Sequence, residues 1–396
     1  MNTLVKQPNK YLLLFTLAGM TMFMAMCTDM YLPGFTSVAA ALHVHVDSLQ
    51  LTFTSFTFGV GLGQIFYGPI SDRFGRRNPA IFGIILFVLS SLLCASAKTL
   101  GVLVFYRFLQ AIGGAAGMVI SRAVVRDRFS GIEMAKMMSA MSMIFVFSPA
   151  VAPTLGAAIL RFGNWPWIFI ALALFGILIF IGVMLIGESL PPEKRNDHGI
   201  AQSIKNYREI IKIPDFRGAA TISAAGSFVT FAYVSSSASV LMGSYGVSRA
   251  KYGYLFALIA IGLIASNRAN LSLVHKVGVM KMLGGFTIIQ SISTLGILVT
   301  SIFHGSMWLL LFFVVICFGC APGMNGNSMT IGMHPFPEKA ASAAALLGLV
   351  QMFSASAVTA LLTAIPGNLE IKMGVAMFLG ALASLIQVRR MKMVTL

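Results

Sequence analysis

Twelve apolar stretches divide this chain almost from end to end, each close to the ~20 residues with which a helix crosses a bilayer core. They fall near 11–32, 48–70, 79–97, 100–122, 137–160, 167–187, 217–242, 252–271, 282–303, 306–328, 341–364 and 369–388. A chain with this pattern has lipid as its solvent, and its backbone has to close its hydrogen bonds within helices. Of the 396 residues, 57% are apolar and 10% charged. No polar stretch is long enough for a soluble catalytic or nucleic-acid-binding domain, so the net charge of +16 has to be explained by topology. The expected fold is an all-α membrane protein with twelve transmembrane helices in two pseudo-symmetric six-helix bundles. The run from Tyr11 to Leu32 is too long for a signal-peptide core and reads as the first span.

Orientation follows from Lys and Arg in alternate loops. One set of loops, beginning at Lys6 and ending at Lys392, holds nearly all of the 28 basic residues. The opposite set holds only Lys98, Arg161, Arg249, Lys251 and Lys372, and Arg107 stands inside a span. This bias predicts a multi-pass protein of a bacterial inner membrane with both termini in the cytoplasm, and it accounts for the high pI without an acidic partner. The longest non-apolar segment, near Ser189 to Phe216, is a linker. The expected division is therefore 1–188 for the first bundle, 189–216 for the linker and 217–396 for the second bundle. Within the linker, Ile200 to Ile213 has helical spacing, as an amphipathic helix on the headgroups or as a solvated connector.

Several chemistries are excluded. Cys27, Cys94, Cys317 and Cys320 all lie in apolar runs, where a thiol behaves as a small hydrophobe, and the Cys317–Cys320 spacing has no second pair or His beside it. No metal site and no cofactor are expected. No His pairs with a carboxylate inside a span, and no Gly-Lys-Ser/Thr phosphate loop exists, so neither an embedded enzyme nor an ATP-driven pump is expected.

Between spans two and three runs Gly68-Pro69-Ile70-Ser71-Asp72-Arg73-Phe74-Gly75-Arg76-Arg77. It resembles the signature loop of the major facilitator superfamily, G-x-L-[AS]-D-R-x-G-R-[KR], with Ile70 at the Leu position. A degenerate copy in the second half places His275 opposite Asp72 and Gly278 opposite Gly75, as a duplicated transporter would. Span four carries Arg107, Gln110, Gly113 and Gly114 in an arrangement similar to the superfamily's R-x-x-Q-G-x-G, with Ala111 where Gly is usual. Span five carries Pro149, Pro153 and Gly156, similar to the motif of the antiporter branch with several glycines replaced. Asp29-Met30-Tyr31-Leu32-Pro33 resembles the D-M-Y-L-P of the bicyclomycin-resistance (Bcr/CflA) subfamily of drug:proton antiporters. The resemblance implies the major facilitator fold and proton-coupled export of small amphiphilic drugs or antibiotics by alternating access. The alternative is proton-coupled transport of one metabolite, such as a siderophore, sugar or amino-acid derivative.

Of twelve acidic residues, Asp29 alone lies within a span, where a carboxylate is functional by default. It is the candidate carrier of the coupling proton, with Arg107 at similar depth as its modulator. Asp29 is expected about four residues, roughly 6 Å, inside the end of span one. Gly68, Asp72, Arg73, Gly75, Arg76 and Asp127 form the candidate cytoplasmic gate, with the start of span eleven after Pro337 as a helix N-terminus for Asp72. Candidate cavity residues are Met22, Met26, Tyr31, Gln110, Phe228, Phe231, Asn325 and Gln351, since Met and Phe suit varied apolar cargo. The expected partners are a small-molecule substrate, protons and the lipid bilayer, with no nucleic acid, and a monomer is the expected working unit.

Overall fold

A computed structural model describes residues 9–195, 200–336 and 339–391. Its helices, in chain order, are α1 (Lys10–Asp29), α2 (Phe35–Leu42), α3 (Gln50–Phe74), α4 (Arg77–Ala95), α5 (Leu100–Arg128), α6 (Gly131–Val146), α7 (Ser148–Phe162) and α8 (Pro166–Ile186). After α9 (Ile200–Lys212) follow α10 (Pro214–Ala238), α11 (Arg249–Val277), α12 (Val279–Ile302), α13 (Met307–Met333), α14 (Ala340–Ala364) and α15 (Leu369–Arg390). Among the described residues ten spans are long and apolar enough to cross a membrane, and α3 with the α6–α7 pair supplies the remaining two crossings. Large apolar side chains such as Phe82, Leu89, Leu185, Ile292 and Trp308 point outward, as lipid-facing surfaces require.

Two spans depart from the sequence expectation. The first continues past Pro33: after α1 a 3-10 turn at Leu32–Gly34 leads into α2, so the membrane segment runs from Lys10 to Leu42. Pro33 has no N–H to give the helix ladder, and the chain bends there instead of ending. Asp29 therefore stands thirteen residues, about 20 Å of helix, before the end of the span rather than 6 Å. The fifth span, expected as one helix over 137–160, begins at Gly131 and is broken at Phe147–Ser148, where Pro149 opens α7. The end of α10 relaxes into a π turn, Ser239–Ser244.

In the first bundle α5 packs on α1, α3 and α4, and α4 packs on α8. In the second, α10 and α12 each pack on α13 and α15. The two loops that the sequence pairs do share a backbone: Gly75 has φ +86° and Gly278 has φ +88°, a region in which a Cβ is strained. The bundles meet where α3 lies along α14 and α7 along α11. That seam is closed at the end remote from the linker. There Thr54 and Thr359 share a hydroxyl hydrogen bond of 2.8 Å, Ser356 donates to the Thr54 carbonyl at 3.0 Å, and Gly253 abuts the Thr154 backbone.

The linker helix α9 packs on protein. Ile210 is buried with Phe216, Ala343, Leu346 and Leu347, Glu209 accepts a 2.6 Å bond from Lys339 at the foot of α14, and α9 also touches α3.

Candidate transport site

Arg107 is the largest fully buried side chain, with 0% of its surface exposed. One guanidinium nitrogen donates to Gln110 Oε1 at 2.7 Å and another to the Cys27 carbonyl of α1 at 3.1 Å. Gln110 in turn donates to Ser91 Oγ of α4 at 2.7 Å, so one network ties α1, α4 and α5. The faces of Tyr31, Phe56 and Phe169 surround the cation, with ring centroids 5.0, 4.3 and 5.8 Å from its central carbon. Ring quadrupoles here take much of the role that an acid would otherwise fill. Among the described residues no carboxylate lies within 4.0 Å of Arg107, and its Nε has no hydrogen-bond partner.

Asp29 closes α1 immediately before the bend and is 7% exposed. It accepts a 3.0 Å bond from the Thr28 hydroxyl and, among the described residues, forms no ion pair. The two intramembrane charges thus share a neighbourhood through Cys27 but are not paired with each other. The bend after Asp29 touches α10 and α11 of the second bundle, and Tyr252 of α11 shares a 2.8 Å hydrogen bond with Ser237. On the other side, Gly156 of α7 presses on the Met30 carbonyl so closely that a Cβ would overlap it. The antiporter-type glycine therefore seats the backbone next to Asp29. Pro153 lies inside α7 and Pro149 in its first turn.

At the linker end the signature loop forms a second, ionic cluster. Arg76 Nε donates to Asp127 Oδ2 at 2.9 Å, and Arg76 also pairs with Asp72 and donates to Ser71 at 2.9 Å. Glu188, which no motif singled out, accepts from the Arg76 and Arg77 amides at 2.8 and 3.2 Å and caps the start of α4. Its carboxylate also occupies the place where a Cβ on Gly75 would be, which gives that glycine a second reason to lack a side chain. The sequence signal was there, a lone acid just past the end of span six, but its partner lies 112 residues away. Arg73 sits over the Phe74 ring at 5.3 Å, and Gly68 has open space where a Cβ would point. Pro337 lies outside the described residues. Asp72, half exposed, is engaged by Arg76.

The expected cavity residues separate into two groups. Tyr31 and Gln110 are fully buried in the Arg107 network, so they support that cation instead of lining open space. Phe228 packs beside Gly380 of α15 within its own bundle. Met22 and Phe231 are half-buried and Met26 buried. Asn325, exposed on α13, faces Gln351 of α14 at 3.5 Å, and two residues on Asn327 donates to Asn270 of α11 at 3.0 Å. An apolar groove of about 440 Å³ lies elsewhere, between α3, α4 and α5, lined by Phe66, Tyr67, Ile70, Phe74 and Phe82. All four cysteines are buried and free.

The sequence of this chain matches the Major Facilitator Superfamily over residues 17–360. The chain belongs to the major facilitator superfamily. The facilitator is 31% identical over 350 residues to a bicyclomycin resistance protein homolog of Haemophilus influenzae, covering 87% of each chain. It is 34% identical to the uncharacterized MFS-type transporter YdgK of Bacillus subtilis, covering 89% of this chain and 88% of the other. To the multidrug resistance protein MdtL of Vibrio parahaemolyticus it is 28% identical, over 83% and 82%. Among solved structures a D-xylose-proton symporter superposes with a TM-score of 0.75 at 14% identity, over 95% of this chain and 97% of that one, a likeness of fold. The facilitator is a transporter and not an enzyme.

Proposed function

We propose that this facilitator exports small amphiphilic drugs across a bacterial inner membrane in exchange for protons, with the linker end in the cytoplasm. The Lys and Arg distribution supports that sidedness, and the drug-resistance relatives support the cargo class. The observation that carries the coupling role is Asp29: a buried carboxylate without a cationic partner, at a bend that touches both bundles. Such a group exchanges a proton whenever its surroundings alternate between dry and wet.

In the described conformation the far end is closed through Thr54, Thr359 and Ser356, so cargo enters from the linker end. Rocking of residues 1–188 against 217–396, with 189–216 as the tether, opens that seam and wets Asp29 from the other side. Cargo release and proton uptake then belong to one face, and proton release to the other. Arg107 holds α1, α4 and α5 together during the movement, while Gly156 couples α7 to the Met30 backbone. The Arg76 cluster keeps the two-to-three loop rigid at the gate. One chain contains both bundles, so a monomer is the working unit.

The test is ligand-induced proton release from purified protein in weak buffer, with chloramphenicol, ethidium and a siderophore as ligands and Asp29→Asn as the control. Release that vanishes in the variant, with binding kept, is the expected result. Tight binding without release by any ligand would sink proton antiport.

A further inference from the structure

One face of α5 leads from the seam toward the linker end. Met118 marks its start: its sulfur lies 3.8 Å from Gln64 Nε2 of α3, and Gln64 Oε1 fills the place of a Cβ on Gly348 of α14. Met118 therefore looks at the line where the bundles meet. Arg122 follows four residues later, one turn nearer the linker end, and Arg126 one turn further, so the three form a row along one side of the helix.

Arg122 combines two properties that are rarely found together. Its surface is open to solvent, yet protein atoms surround it on nearly every side. A side chain has both properties only inside a concave space. It has no hydrogen bond and no ion pair among the described residues, and its nearest charged influence is another cation, Arg126.

Several acids at this end are already engaged. Asp72 and Asp127 hold Arg76, Glu133 holds Lys10 at 2.8 Å and Lys136 at 3.7 Å, Glu188 holds amides of α4, and Glu209 holds Lys339. Asp29 is buried. Lys and Arg outnumber the acids at this end, so the field at the opening is positive, in a concave site whose protein walls focus it.

We infer that Arg122, supported by Arg126, selects cargo by charge at the linker-end mouth, admitting small molecules that carry an anionic group and disfavouring cations. The inference rests on the export reading above and narrows its substrate class. A guanidinium suits this role because its planar donors match a carboxylate, sulfonate or phosphate in two-point fashion and stay charged at any working pH.

The experiment measures binding and proton release for three probes on the full-length protein in neutral detergent: fluorescein as anion, chloramphenicol as neutral and ethidium as cation. Fluorescein is expected to bind about tenfold more tightly than ethidium. Arg122→Gln is expected to remove about that factor for fluorescein and to leave chloramphenicol within about twofold, and Arg122→Lys to restore part of it. Arg122→Glu reverses the order, with ethidium gaining. Equal fluorescein affinity in wild type and Arg122→Gln would overturn charge selection. Displacement of fluorescein by added phosphatidylglycerol would also overturn it, since the cation would then serve a lipid phosphate. If chloramphenicol and ethidium bind and release protons while fluorescein does not, charge selection falls and export stands. If none of the three binds, both readings fall.

Discussion

Arg107 and Arg76 belong to the same bundle and carry the same charge, 0% and 7% exposed, yet the protein compensates them in opposite ways. Arg76 is clasped by two carboxylates at the linker end, where water is near and ions are inexpensive. Arg107, in the span, is given a carbonyl, an amide oxygen and three aromatic faces, and no acid. The difference separates two tasks. A loop that has to keep its shape uses ion pairs, one within the loop to Asp72 and one to Asp127 on the neighbouring α5. A site that exchanges a proton keeps its carboxylate unpaired, because an acid locked to a guanidinium would not take up a proton near neutral pH. Arg107 can serve as the anchor of α1 only if something other than Asp29 satisfies it.

The largest expected effect breaks that contrast at its buried end. Arg107→Lys keeps the charge but replaces a planar fork by a compact ammonium that cannot reach Gln110 and Cys27 while facing three rings, each desolvated ring contact being worth about 2 kcal/mol. Transport in proteoliposomes is expected to fall to background and the thermal midpoint in detergent to drop. Transport above about half of wild type would mean that charge alone, and not the guanidinium plane, is required.

The ionic end is expected to be more tolerant. Asp127→Asn leaves Arg76 with Asp72 and Ser71, so drug affinity should be unchanged while the transport rate falls several-fold. A loss of affinity instead would place the cluster in the cargo path and erase the division of labour between the two arginines.

The smallest effect concerns the outer tie of the same end. The Lys339 ammonium, by its hydrogen bond and then its charge, holds the Glu209 carboxyl below the usual carboxylate range. A depressed native value means that the contact contributes fully above the ordinary pKa and is lost as the pH falls through the native one. Both side chains are half exposed, so Glu209→Gln should change transport less than about twofold at neutral pH, and variant and wild type should converge once the pH falls below the depressed Glu209 value. A large neutral-pH effect would make α9 a working strap rather than a tether.

The two duplicated loops show what survives divergence. Gly75 and Gly278 keep nearly the same positive φ, because the backbone needs that turn whatever the side chains do. The carboxylate of the first loop became His275 in the second, and no ion-pair cluster formed around it among the described residues. Turn geometry was readable from glycine spacing in both halves. The network around Arg76 was readable in part, through Asp72 and Asp127, while Glu188 depends on a contact between chain segments that no local pattern encodes.

Hydropathy alone determined the spans, since a backbone in lipid has to form helices of bilayer length, and the Lys and Arg asymmetry predicted their direction. It also marked Asp29 and Arg107, because charge inside a span is costly enough to be conspicuous. Only the tertiary structure decided that these two are not partners, that the first span bends at Pro33 and continues to Leu42, and that Gly156 holds the bend in place. Those facts depend on which helix faces meet. Twelve apolar helices in lipid have no hydrophobic period that tells one neighbour from another, so close packing and a few polar contacts make that choice.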